Sequence, residues 1–257
     1  MDKFISGVTE ALTNPKMQQE FLSGTWETIY STFLATLLAC VLGLVLGVIL
    51  VTGGKDGIRP LPSPLMKVLN FIVNILRSVP FLILMMMLLP VFKPIIKTTI
   101  GTPAAILPLT AAAAPFVARL VETSLREVDK GVIEAAQSMG CSTMQIICKV
   151  ILPESKPALI GGFTTALITI LGYGSMAGFI GGGGLGKIAI NYGYNKYNYG
   201  VMFVAVVLIV VLVQIFQTIG TRVAARCDKR IARTNRRSRA AELRKEMRKN
   251  RHAPGAM

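Results

Sequence analysis

The sequence predicts an all-α integral membrane protein with five transmembrane helices. Hydrophobic residues make up 52% of the 257 residues, charged residues make up only 16%, and the mean hydropathy is +0.57. A soluble domain carries about 25% charged residues, so too little polar surface is present for a water-soluble fold of this size. Stretches without Lys, Arg, Asp or Glu then give the number of helices, because a bilayer core needs about 20 apolar residues per helix.

Five uncharged stretches follow one another along the chain. The first follows an acidic segment and is longer than the apolar core of a signal peptide, so we expect a retained helix. The second is interrupted only by Arg77, whose long side chain can either reach a membrane face or contact an ion or substrate inside the bundle. The predicted spans are residues 29–51, 68–92, 98–118, 157–186 and 197–221.

The positions of the basic residues predict the orientation. The loops after the first and third spans share a side with the C-terminal tail, and they hold eight Lys and Arg residues against four in the other two loops. We therefore expect segment 1–25 outside the cell and the C-terminus in the cytoplasm. Residues 222–251 contain 13 basic and 3 acidic side chains. Segment 227–257 is thus a basic tail, for which contact with anionic lipids is favoured over nucleic acid.

The residue types present exclude several classes of function. The only histidine, His252, lies in the tail, so the spans hold no His-dependent nucleophile or proton shuttle. The four cysteines show no C-x-x-C spacing, and they indicate neither a disulfide framework nor a metal site. Proton-coupled carriers usually need an intramembrane Asp, Glu or His, and all five predicted spans lack one. The chain is not expected to be an enzyme, and any transport through it must be driven from elsewhere.

The loop between the third and fourth spans is long enough for two short helices. Asp129 can cap the first helix, and Gly140 can end it in a left-handed conformation. Ser142 and Gln145 match a capping box that opens the second helix. Pro153 is expected to end it. The sequence therefore predicts a helical hairpin on the cytoplasmic side.

This loop, residues 121–154, also carries a specific pattern, E-A-A-x3-G-x9-V-x-L-P. Its defined positions are Glu134, Ala135, Ala136, Gly140, Leu152 and Pro153, with Val150 before the final pair. The pattern is similar to the signature loop of permease subunits in bacterial ABC importers. The resemblance implies that the loop is a coupling helix that docks on a cytoplasmic ATPase.

The resemblance extends over roughly residues 26–226. Stretches 74–81, 113–119, 172–178 and 182–186 are similar to the permeases of methionine importers. This implies the type I ABC importer permease fold, with two copies of the chain, two ATPase subunits and an extracytoplasmic methionine-binding protein. By position, Tyr173 and Met176 would line the central pathway between the protomers.

Two other features have a structural interpretation that we favour. Residues 181–187 match G-x-x-x-x-G-K, but Ile188 stands where a phosphate loop needs Ser or Thr, and no strand precedes the motif. The glycines are expected to let helices approach closely. The tyrosines at 192, 194, 197 and 199 are interpreted as an interfacial aromatic belt, although a surface for a binding protein is the alternative.

These observations together predict a permease subunit of an ATP-driven importer in the bacterial cytoplasmic membrane. Methionine is the favoured substrate, and another polar amino acid or a small organic molecule is the alternative. The main alternative from a different functional class is a passive channel, and a membrane-embedded enzyme ranks behind it. No cofactor is expected on this chain, because ATP and magnesium would bind to the partner ATPase.

Overall fold

A computed structural model describes residues 2–55 and 57–228 of the protein, and in this part the chain folds into helices and short connections, as the sequence predicts. Asp56, His252 and the tail from Lys229 onward, with its predicted lipid contact, lie outside the described residues. The α-helices in chain order are α1 (Asp2–Thr13), α2 (Pro15–Thr52), α3 (Ser63–Ser78), α4 (Phe81–Ile96), α5 (Thr102–Arg126), α6 (Lys130–Ser138), α7 (Thr143–Ile146), α8 (Leu152–Glu154), α9 (Lys156–Ala177), α10 (Gly184–Ile188) and α11 (Tyr199–Cys227).

Four of the five predicted spans are continuous helices in the described part of the chain. They are α2, α5, α11, and α9 together with the 3-10 turn Gly178–Ile180. Each is long and apolar enough to cross a bilayer. A fifth span is possible only if the bent pair α3 and α4 counts as one.

The predicted second span is not a single straight helix. Helices α3 and α4 meet at an angle of 110°, because Pro80 has no amide hydrogen and holds Val79 in an extended conformation (φ −73°, ψ 129°). Each helix has 16 residues and is about 24 Å long, shorter than the hydrocarbon core of about 30 Å. Arg77 lies in the last turn of α3, beside the bend.

Two other boundaries differ from the prediction. Helix α2 begins at Pro15, where the side chain of Asn14 accepts a hydrogen bond from Lys16 N at 3.0 Å. Helix α2 runs through residue 25 without a break, so no helix boundary falls at the predicted end of segment 1–25. The fourth span ends near Gly181, whose backbone is left-handed (φ +86°), and does not continue to residue 186.

The centre of the bundle is the packing of α2 against α5. Ala35, Ala39, Ala113 and Val117 are fully buried between these helices. Small side chains let two helices approach closely, which favours association inside a membrane. Large apolar side chains point outward from the bundle, as the 62% exposure of Leu37 on the outer face of α2 illustrates, and a bilayer or a second chain would cover them. Helix α1 packs along α11, where the rings of Phe4 and Phe203 lie 5.6 Å apart.

Candidate functional site

The hairpin between α5 and α9, residues 127–155, is built by the local signals that the sequence shows. The carboxylate of Asp129 accepts a hydrogen bond from Gly131 N at 2.7 Å and caps α6. Gly140 is left-handed (φ +77°), and the amides of Gly140 and Cys141 close the end of the helix in a Schellman motif. The predicted caps of α6 are therefore confirmed.

The second helix of the hairpin begins with the predicted capping box. Ser142 N donates to Gln145 Oε1 at 2.8 Å, and Gln145 N donates to Ser142 Oγ at 3.4 Å. Pro153 does not end this helix, contrary to the prediction. A π-helical segment, Ile147–Ile151, precedes Pro153 and shifts the hydrogen-bond register, so the chain stays helical to Glu154 and breaks only at Ser155.

One face of the hairpin packs on the bundle and the other is exposed. Ala136, Ile146 and Ile151 are at most 2% exposed, and they belong to the same hydrophobic core as the end of α5. On the opposite side, Met139 is 76% exposed and Met144 is 69% exposed. Exposed flexible Met side chains around a turn are suited to contact another protein surface.

The residues of the predicted coupling pattern fall on both faces of this hairpin. Glu134, Ala135, Gly140 and Pro153 are exposed, Leu152 is partly buried, and Ala136 is buried. Ala136 and Leu152 therefore attach the hairpin to the bundle. The exposed residues are available for contact.

A buried carboxylate, which the sequence analysis did not identify, lies at the end of α5 that leads into the hairpin. Glu122 is 8% exposed, and its carboxylate is ion-paired with Arg119 and, at 2.9 Å, with Arg126. The other amino group of Arg119 donates to the side-chain oxygens of Asn70 and Asn74 on α3, each at 2.9 Å. The spacing R-x-x-E-x-x-x-R places all three charges on one helix face, and this signal could have revealed the cluster.

The two residues predicted to line a pathway lie in the last turns of α9. The ring of Tyr173 stacks on the ring of Phe81 from α4, with centroids 3.9 Å apart and planes at 5°. Met176, one turn further, is 49% exposed. Tyr173 also lines a small cavity that includes Arg77 and Phe116. Arg77 is exposed in the single chain.

The glycine-rich motif after α9 does not form a phosphate-binding loop. The amide of Gly184 donates to the Glu27 carboxylate at 2.8 Å, and the amide of Leu185 donates to Thr28 Oγ1 at 2.9 Å. A phosphate needs such amides at a helix N-terminus to be available. Here side chains of α2 already occupy them, which gives the structural reason against nucleotide binding at this motif.

The tyrosine-rich connection before α11 is tied to the N-terminal helices by polar contacts. Tyr192 donates from its hydroxyl to Glu20 at 2.9 Å, and Asn198 donates from its amide to Glu10 at 3.1 Å. The hydrogen bond to Glu20, together with desolvation and the charges of Glu20 and Glu10, raises the pKa of Tyr192 above its usual value. By contrast, Tyr194 and Tyr197 are 67% and 73% exposed.

Metal binding has no support in the described part of the chain. Among residues 2–55 and 57–228, no three His, Cys, Asp or Glu side chains come together in a way that could hold a metal ion.

Comparisons with known proteins place these sites in a family context. Residues 57–233 match the family described as binding-protein-dependent transport system inner membrane component. Over 133 residues, the chain is 53% identical to the probable D-methionine transport system permease protein MetI of Vibrio cholerae and 53% identical to the methionine import system permease protein MetP of Bacillus subtilis. Each alignment covers 52% of this chain, and they cover 59% and 60% of those relatives. The chain thus spans about three fifths of their length.

Solved structures show the same fold. A chain of the MetNI methionine ABC transporter, described in inward-facing conformations, matches with a TM-score of 0.82 and 42% identity, over 84% of this chain and all of that chain. A chain from an amino acid ABC transporter solved with histidines matches with a TM-score of 0.69 at 20% identity, over 84% of this chain and 97% of that chain, and so shares the fold alone.

Proposed function

The chain belongs to the family of binding-protein-dependent transport system inner membrane components, and we propose that it is the permease subunit of an ATP-driven importer for methionine. The observation that carries the proposal is the hairpin on α5 and α9, with one face in the bundle core and the other exposed. A membrane protein that only lets a solute pass needs no such hairpin. One is needed if a soluble partner must move the membrane helices.

The hairpin is the proposed contact for a cytoplasmic ATPase. Glu134, Ala135 and Gly140 lie on its exposed side, with Met139 and Met144 nearby. Its buried side chains bind the hairpin to the core around α5. A movement of the partner would therefore reach α5 and α9 directly, because the hairpin connects these two helices and packs on the first. Two ATPase subunits would bind two copies of the chain, and the ATPase subunits would bind the ATP and magnesium.

The substrate pathway is proposed to run along the last turns of α9, between two copies of this chain. Met176 is half exposed in the single chain, so a second copy can approach it. Tyr173 is held by its stack on Phe81. An aromatic ring beside a flexible thioether suits an apolar side chain with little polar discrimination. Selection of the substrate would then depend mainly on an extracytoplasmic binding protein.

Methionine is the proposed substrate because relatives named for methionine or D-methionine transport are about half identical over the matched segment. A solved methionine transporter chain also matches along its whole length. Another polar amino acid or a small organic molecule is the alternative within the same function. The cytoplasmic membrane, with the hairpin and the C-terminus in the cytoplasm, is the proposed location, in agreement with the Lys and Arg distribution.

The energy for transport is proposed to come from the partner and not from a proton gradient. The spans hold one deeply buried carboxylate in the described residues, Glu122, at the hairpin end of α5. Both of its oxygens are engaged by arginines. An ion-paired carboxylate at one end of the bundle does not make a proton relay across it. Alternating access would follow when the two ATPases close and rock the protomers apart.

The decisive experiment is uptake of labelled methionine into proteoliposomes that contain this chain, its ATPase and its binding protein. We expect uptake that requires ATP and that stops when a catalytic residue of the ATPase is replaced. The competing passive channel predicts equilibration of methionine without ATP. Competition by unlabelled D-methionine, L-methionine and other polar amino acids would then define the substrate range.

A further inference from the structure

Three helices meet at one carboxylate at the end of α9 that lies opposite the hairpin. Glu27 projects from α2, and its Oε2 atom accepts a hydrogen bond from Thr102 Oγ1 at 2.7 Å. The same oxygen accepts a second hydrogen bond from Gly184 N at 2.8 Å. Thr102 is the first residue of α5, and Gly184 is the first residue of α10. One side chain therefore joins α2, α5 and α10.

A second contact fixes the same short helix. The amide of Leu185 donates to the hydroxyl oxygen of Thr28 at 2.9 Å, and that hydroxyl donates to Gly24 O at 2.8 Å. Gly184 adopts a left-handed backbone (φ +80°), which a residue without a Cβ atom adopts at no steric cost. The start of α10 is thus held on α2 through two consecutive amides.

Helix α10 lies backbone to backbone against the last turn of α9. A Cβ atom added at Gly178 would lie 2.7 Å from the carbonyl carbon of Gly186, and one added at Gly186 would overlap Ser175. The connection between α9 and α10 also folds back on α9, because Gly182 N donates to Ala177 O at 2.9 Å. A shift of α10 therefore moves the turn of α9 that carries the proposed pathway methionine.

We propose that Glu27 is a positioning residue that, through Gly184 and α10, holds the pathway turn of α9 around Met176 in place. The inference rests on the proposed function, in which Met176 lines the substrate pathway. Glu27 does not contact the substrate in this proposal. It sets how far the last turn of α9 can move relative to α2 and α5, and hence how tightly the pathway closes at this end.

The test measures the exposure of position 176 directly. A Met176→Cys reporter is placed in a chain whose four native cysteines are replaced by alanine, and its reaction with a membrane-impermeant thiol reagent is followed in the assembled complex. In Glu27→Leu we expect the reaction rate to rise about five-fold, because two hydrogen bonds to a charged acceptor are lost. Glu27→Gln should react nearly as slowly as the parent, since its single amide oxygen can accept both bonds.

Two further variants provide a graded effect and a control. Thr102→Val removes one donor with little change in shape, and it should give a smaller increase in rate than Glu27→Leu. Glu20→Leu is the matched control on the same helix, because Glu20 bonds Tyr192, beyond the end of α10, and leaves both hydrogen bonds of Glu27 in place. Its rate should equal that of the parent. If Glu27→Leu does not assemble, the comparison of Thr102→Val with Glu20→Leu decides in its place.

Transport is measured separately, in chains that keep Met176. We expect Glu27→Leu to hydrolyse more ATP per imported methionine than the parent, and Glu27→Gln to restore the parent ratio. An unchanged reaction rate of the Met176→Cys reporter in both Glu27→Leu and Thr102→Val would overturn the inference. Absence of ATP-driven uptake by the unmodified chain would instead overturn the proposed function, and the reaction rates would still report on the role of Glu27.

Discussion

The side chains of Tyr173 and Phe81 form a parallel stack, with ring centroids 3.9 Å apart and an angle of 5° between the planes. Tyr173 lies near the end of α9, and Phe81 is the first residue of α4, just after the bend. The stack therefore joins α9 to the part of the chain that Pro80 redirects. The bend at Pro80 thus places Phe81 where its ring can stack on Tyr173.

The first prediction concerns this stack. Tyr173→Phe keeps the stacked ring and should transport methionine at nearly the parent rate. Tyr173→Leu loses an aromatic pair worth about 1 kcal/mol and should show increased ATP-independent leak of labelled methionine from proteoliposomes. Phe71→Leu, on the exposed side of α3, is the control and should show no leak. Equal leak in all three variants would exclude a role for the stack in closing the pathway.

The second prediction concerns the turn of the hairpin. Gly140 is left-handed (φ +77°), and a Cβ atom added there would have no neighbour within 4 Å. Gly140→Ala is therefore strained only by its backbone conformation, at a cost of about 1–2 kcal/mol, and the larger Gly140→Val should be worse. We expect ATP-driven transport to fall about five-fold to thirty-fold in Gly140→Ala, the range to which such a cost corresponds, with membrane insertion unchanged.

Gly161 provides the matched control for that prediction. It also has no neighbour within 4 Å of an added Cβ atom, but it lies in the helical interior of α9 without a left-handed backbone. Gly161→Ala should keep full transport and should be slightly stabilised. Normal transport by Gly140→Val would show that the direction of the second hairpin helix does not matter for coupling.

The third prediction concerns the buried carboxylate. Glu122→Ala leaves Arg119 without its ion-pair partner in a largely buried site, which should reduce the free energy of unfolding by about 3 kcal/mol. Glu134→Ala, at an exposed position, should change it by less than about 0.5 kcal/mol but should reduce coupling to the ATPase. Thermal unfolding of the purified chain measures the first effect, and the ATPase assay measures the second. A stable Glu122→Ala variant would contradict the assigned role of the cluster.

The fourth prediction concerns orientation. In a chain without native cysteines, Asn195→Cys in the connection before α11 should react with a membrane-impermeant thiol reagent in intact cells. Met144→Cys on the hairpin should react only after the cells are opened, because the Lys and Arg distribution places it in the cytoplasm. Ser238→Cys, in the tail, should behave like Met144→Cys. The reverse labelling pattern would exclude the proposed topology.

Features that depend on neighbouring residues could be predicted from the sequence. Uncharged stretches predicted the continuous spans, because membrane insertion depends on local hydropathy. Asp129, Gly140 and the pair Ser142 and Gln145 predicted the caps of the hairpin, because each cap is a contact between residues only a few positions apart. The bend at Pro80 was not predicted, and the structure gave both its position and its angle.

Contacts between residues far apart in the chain could be seen only in the folded structure. Glu27 and Gly184 are 157 positions apart, and no periodicity in either segment predicts their hydrogen bond. The same holds for the stack of Phe81 on Tyr173. Such pairs depend on how α2, α4, α9 and α10 pack, and packing is set by the shapes of whole helix faces. The spans and the hairpin were therefore predictable from the sequence, whereas the long-range contacts around the last turns of α9 were not.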